Sequence, residues 1–136
     1  MMNHLHALNI VSVIVATIVY FMLGAVWYSP LLFSKSWASM QQIDMNDKSR
    51  LPLMMSLTFV LNFVIAIAMS ILIAVTHIET LAGGAKLGFL VGSGFIAATL
   101  GMNYLYANRP FKLFLIDSGY HLVGTILIGS LLAVWH

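Results

Sequence analysis

Cysteine is absent from the 136 residues, and charge is scarce: Asp, Glu, Lys and Arg together make up 7% of the chain. The first absence excludes disulfides, thiolate metal sites and cysteine nucleophiles, and leaves the redox compartment open. The second excludes a wetted surface, because a soluble domain draws about a quarter of its residues from those four types. A net charge of +2 gives no reason to expect nucleic acid as a partner. What is present is apolar: 61% of the residues are hydrophobic, with a mean hydropathy of +0.98. A helix crossing a bilayer needs roughly 20 such residues. Four spans with short connections use nearly the whole chain, so the expectation is an all-α membrane protein forming a single domain over residues 1–136.

The first span is expected over residues 8–28. It lacks Lys or Arg before its apolar run and a small-residue cleavage site after it, so it reads as a retained helix rather than a secretory signal. It closes on Trp27 and Tyr28, whose amphipathic rings favour the headgroup level, and on Pro30, which lacks the N–H a continuing helix needs. Residues 31–43 alternate Leu32, Phe33, Trp37 and Met40 with Lys35, Ser36, Ser39 and Gln42, which predicts a short amphipathic helix lying in the interface. Residues 44–50 are a polar loop. Further spans are expected over 51–76, 84–107 and 111–135, the last anchored by Trp135. Asn108-Arg109-Pro110 predicts a tight turn between the last two.

Lys35, Lys48, Arg50, Arg109 and Lys112 fall at one end of these spans and Lys86 alone at the other, which predicts a cytoplasmic side for the five and both termini outside. Lys86 is expected to snorkel to the outer headgroups, and Lys35 with Trp37 to seat the interfacial helix on anionic lipid. Gly24, Trp27 and Pro30 close span one much as Gly101, Tyr104 and Pro110 close span three, a faint internal repeat.

The run Gly24-Ala25-Val26-Trp27-Tyr28-Ser29-Pro30-Leu31-Leu32-Phe33, with Lys35 and Trp37, resembles the first signature of an uncharacterised bacterial membrane-protein family, domain of unknown function 1761. Asn103, Asn108-Arg109-Pro110 and Ile116-Asp117-Ser118-Gly119-Tyr120-His121 resemble its second. The resemblance covers essentially the full length. It implies four membrane helices in the bacterial inner membrane, and it implies no activity.

Chemistry is concentrated in span four. Asp117 and His121 lie one turn apart on one helix face. At about 1.5 Å per residue they sit roughly 9 and 15 Å inside the span. A carboxylate at such depth costs at least about 2.5 kcal/mol against lipid, so it is expected to face inward. Tyr120, Asn103 and Tyr104, Asn62 and Tyr20 reach comparable depth on the four spans, which predicts one polar cluster in the cytoplasmic half. Three uses of that cluster stand open: a hydrogen-bond network that locks helices, a proton or ion path tuned by a histidine that titrates near neutral pH, and a catalytic group, which would need a nucleophile such as Ser118 or Tyr120.

Gly84, Gly88 and Gly92 recur every four residues in span three, and Ser93, Ala97 and Gly101 follow at the same spacing on a nearby face, a spacing that lets helix backbones approach. Packing within one chain and self-association into a homo-oligomer both fit. The same glycines lie inside an apolar span with no strand before them, so they do not form a nucleotide-binding loop, and no cofactor is implied. His4, His6, His77 and His136 share the outer side with Glu79, but their spacing fits no compact metal-ligand pattern. The nine methionines are scattered and read as packing filler. The leading expectation is a small transporter or channel-like protein with a pH-sensitive polar cluster, embedded among membrane lipids. A non-catalytic scaffold for another membrane protein and a lipid-modifying enzyme are the alternatives.

Overall fold

The computed structural model describes residues 9–29, 32, 34–41 and 49–135. Helix α1 runs Ile10–Trp27, α2 Ser34–Gln41, α3 Leu51–Thr76, α4 Leu81–Tyr106 and α5 Phe111–Val134. The all-α expectation holds: the described residues contain no strand, and α1, α3, α4 and α5 are each long and apolar enough to cross a membrane. Pro30, Leu31, Phe33, Gln42, residues 43–48, His4, His6 and His136 lie outside the described residues, as does the side chain of Met40.

Local chemistry sets the helix ends. The Asn9 side chain accepts from the backbone N–H groups of Val11 and Ser12, capping α1. Pro52 occupies the first turn of α3, where a missing N–H costs nothing. The Thr80 hydroxyl accepts from Gly83 N–H at 3.0 Å, which starts α4 three residues earlier than hydropathy suggests. His77 and Asn108 adopt φ of 56° and 54°. In each case the following N–H, on Ile78 and Arg109, closes back onto the carbonyl five residues before it, a left-handed C-terminal cap.

Helix α5 is the pillar of the bundle. Half of its apolar stretch is buried, against 17–28% for the other spans. Its neighbours come close because glycine separates them from its backbone. A Cβ on Gly84 would stand 2.2 Å from the Gly129 carbonyl oxygen, and one on Gly88 would stand 2.1 Å from that of Thr125. Across this joint the Thr125 hydroxyl donates to the Gly88 carbonyl at 2.8 Å. On the α1 side Gly124 receives the ring of Tyr20, and Gly119 that of Trp27. The small-residue stripe of span three is therefore covered by α5 of the same chain. One of its two expected uses, packing inside one chain, accounts for the burial of Gly84, Gly88 and Gly92. The stripe also ends at Gly92, since Gly101 meets no more than ordinary contact with Phe114.

Two irregularities shape the packing around this pillar. Residues Val91–Ala97 of α4 form a π-helical segment, which inserts about one residue into the helical phase. The first eleven residues of α3, Leu51 to Leu61, are all exposed, and burial begins at Asn62. That half of α3 stands off from the pillar, with an opening on each side.

Candidate functional site

Asp117 is 7% exposed, in the second turn of α5. Both carboxylate oxygens accept from phenols: Oδ1 from the Tyr28 hydroxyl at 2.5 Å, and Oδ2 from the Tyr104 hydroxyl. Tyr28 closes α1 and Tyr104 lies in the last turn of α4, so this one carboxylate ties three helix ends together. Trp27 Nε1–H donates to the Ile116 carbonyl at 3.0 Å and holds the same joint. One turn deeper, His121 Nδ1 and the Tyr20 hydroxyl are 2.5 Å apart. With the imidazole neutral and its proton on Nε2, that hydroxyl is the donor. Tyr120 lies across Gly24 and donates to the Tyr20 carbonyl at 3.1 Å. Its ring meets those of Tyr20 and Tyr28 edge-on, with centroids 5.1 and 5.6 Å away.

A cavity of about 600 Å³ opens on this cluster. Asp117, Tyr120 and His121 form its floor, Leu61, Asn62 and Ile65 of α3 one wall, and Leu100 and Tyr104 of α4 the other. Tyr28 and Trp37 stand at its mouth, their rings stacked edge-on at 5.6 Å. Helix α2 thus places Trp37 against the site. A second, apolar cavity of about 350 Å³ lies on the far side of the free half of α3, between it and α1, and shares Tyr28, Thr58 and Tyr120 with the first.

Asn62 is 3% exposed and lies beside Tyr120, and its amide nitrogen meets no acceptor in good hydrogen-bond geometry among the described residues. An unmet buried donor costs about 1–3 kcal/mol. Replacing it with leucine, of similar size, is expected to stabilise the bundle by about 1 kcal/mol, read from unfolding in mixed detergent micelles. A loss of stability would mean that the amide already has a partner.

Five of the six residues expected to cluster come together: Asp117, Tyr120 and His121 on α5, Asn62 on α3 and Tyr20 on α1. Asn103 does not. It is exposed, and the next residue, Tyr104, meets Asp117 instead. The cause is the π-helical segment. In an unbroken α-helix, residue 103 would return to the face of Gly92 after three turns, but one inserted residue hands that position to 104. Deleting Gly94, whose position is open, should restore the phase and turn Asn103 toward α5. The expected sign is that Tyr104→Phe, destabilising in the native chain, becomes neutral in the deletion background.

In the sequence Tyr28 is legible only as an interfacial anchor, although an amphipathic ring at the depth of an inward carboxylate is a usable signal for its partner. Thr125, buried with its hydroxyl shared between the Gly88 carbonyl of α4 at 2.8 Å and the His121 carbonyl of its own helix at 2.9 Å, gives no sequence signal, because threonine in an apolar span ordinarily bonds its own helix alone. His77 is exposed at the opposite end of the bundle, with His4 and His6 outside the described residues. Among the described residues no three of His, Asp and Glu come together in a way that would hold a metal ion. Trp135 is exposed at the end of α5.

No curated protein and no solved structure matches the chain. A family model does match, over residues 11–133, which takes in α2, the Trp27–Tyr28 joint and the whole Asp117–His121 turn. The chain that builds this carboxylate-centred cleft belongs to the family described as Protein of unknown function (DUF1761).

Proposed function

We propose that the protein is a small membrane carrier in which the Asp117–His121 cluster takes up a cation or proton from one side of the bundle. The observation that supports this reading most directly is the cavity, which reaches both groups from outside the helix core. Asp117 and His121 are the acid and the imidazole that a relay needs, and Tyr20, Tyr28 and Tyr104 hold their orientations. Beyond His121 the bundle closes on backbone-to-backbone contact at Gly84–Gly129 and on buried Met69 and Ile128. A cavity open at one end suits a carrier better than a continuous pore. A lipid-modifying reaction has less support, because the Ser118 hydroxyl is bonded to the Phe114 carbonyl and does not line the cleft, and the Tyr120 hydroxyl, whose residue does line it, is engaged with the Tyr20 carbonyl. In this proposal the protein sits in the bacterial inner membrane with Lys35, Arg50, Arg109 and Lys112 on the cytoplasmic side and both termini outside.

The test is proton flux into liposomes containing the purified protein, followed with a trapped pH dye under an imposed gradient. Asp117→Asn, which keeps the size and removes the titratable carboxyl, is expected to lower the rate by at least about tenfold. Equal flux in the wild type and in Asp117→Asn would remove the proton-carrier reading.

A further inference from the structure

We infer that the ligand of the cleft is a hydrophobic organic monocation, such as a substituted ammonium or phosphonium with an apolar body. This deepens the carrier reading and rests on it for the site, though not for the flux. Three features of the cleft select that chemistry. The first is charge. The Asp117 carboxylate accepts from two neutral phenols, which orient it without carrying a charge of their own. Among the described residues no lysine or arginine lines the cavity. A carboxylate that borders an apolar cavity with no lysine or arginine in its described lining attracts a cation strongly, because little water screens it.

The second feature is the aromatic rim. Tyr28, Trp37, Tyr104 and Tyr120 surround the carboxylate with ring faces and edges. Such rings favour a soft, weakly hydrated cation over a small metal ion, which would demand more oxygen ligands than the described lining offers. The third is the wall. Leu61, Ile65 and Leu100 give the rest of the ligand an apolar bed, and about 600 Å³ is room for a drug-sized molecule. The opening between α3 and α4 lies beside the exposed, apolar half of α3, so a ligand dissolved in the membrane reaches Asp117 from the side. A zwitterionic phospholipid also carries an ammonium group. Its phosphate, however, would need a cationic partner, and the described lining supplies no lysine or arginine.

The experiment is equilibrium dialysis of tetraphenylphosphonium against the full chain in dodecyl maltoside micelles, with protein-free micelles as the baseline. One saturable site is expected. Its affinity should fall at least about tenfold in Asp117→Asn, recover in Asp117→Glu, and fall severalfold in Trp37→Leu, which lies at the mouth and leaves the helix joints intact. Tetraphenylborate, of the same shape and opposite charge, should show no saturable site when dialysed on its own, and phosphatidylethanolamine added to the micelles should not displace the phosphonium. Saturable binding of the borate on its own, or undiminished phosphonium binding in folded Asp117→Asn, overturns the inference. If Asp117→Asn does not fold, unchanged affinity in both Trp37→Leu and Tyr104→Phe overturns it. Displacement by the phospholipid reassigns the site to a lipid and overturns it likewise. Saturable phosphonium binding with no proton flux in liposomes would keep this ligand class and remove proton carriage. Proton flux without phosphonium binding would keep the carrier and remove this class.

Discussion

Replacing Gly88 with leucine is expected to undock α4 from α5 and to abolish the folded bundle in mild detergent. A Cβ alone at that position would stand 2.1 Å from the Thr125 carbonyl oxygen and 2.7 Å from the Ile126 Cα. Both are backbone atoms of the central helix, so no side-chain rotation relieves the clash. The helices must part, and with them go the Thr125–Gly88 hydrogen bond and the matching approach of Gly84 to Gly129. Even alanine should cost about 3 kcal/mol, the upper end of what overpacking a well-filled core costs, visible as a large shift in the detergent-unfolding midpoint. The control lies six residues further along the same helix. A Cβ on Gly94 would meet only the Leu90 Cδ1, at 3.8 Å, so Gly94→Ala should be neutral or mildly stabilising through the ordinary glycine-to-alanine gain of up to about 1 kcal/mol. Equal effects at the two positions would show that the α4–α5 joint is not built on backbone approach.

The second large effect is expected at Asp117. Changing it to leucine removes one acceptor and leaves two phenols, Tyr28 and Tyr104, directed into apolar surroundings. Each unmet hydroxyl costs about 1–3 kcal/mol in water-soluble proteins. Within a membrane, the net worth of an interhelical bond falls nearer to about 0.6–2 kcal/mol, because the unfolded helices also find partners. The expected loss is therefore about 2–3 kcal/mol for the pair. The diagnostic is the cycle rather than the single variant. Tyr28→Phe and Tyr104→Phe should each be destabilising in the native chain and close to neutral in the Asp117→Leu chain, giving coupling energies of about 1 kcal/mol apiece. Additive effects would mean that the phenols stabilise through ring packing alone. Then the carboxylate would not be what gathers the ends of α1, α4 and α5.

These two residues mark different kinds of dependence on the fold. Gly88 is one of a repeating set whose purpose, close helix approach, follows from spacing. Asp117 is one of four acids, and of these it alone lies inside an apolar span. Its inward orientation follows from the cost of facing lipid, with no knowledge of a partner. What spacing could not supply was the identity of the helix the glycines meet. The other half of the joint is Gly129, Thr125 and Ile126 on α5. The glycines of α5, at 119, 124 and 129, are five residues apart and so do not form a single stripe. Gly119 and Gly124 receive rings from α1, whereas Gly129 meets α4.

Residue order alone settles the number of spans, their succession and nearly all of their ends. Those features depend on the length of an apolar run against the thickness of a bilayer, and on local groups such as Asn108 and Pro110 that act within a turn of themselves. It also settles that the acid and imidazole of span four share one face, since four residues of one helix suffice to say so. Which groups meet them depends on how the helices pack. Tyr104 rather than Asn103 reaches Asp117 because a π-helical segment well before it shifts the phase of the helix by a residue, about 100° of rotation, which no local pattern around 103 records. The cleft, likewise, exists because the first half of α3 stands away from α5. That separation is set by where three helices cross, and an apolar run reads the same whether it faces lipid, a neighbour or a cavity.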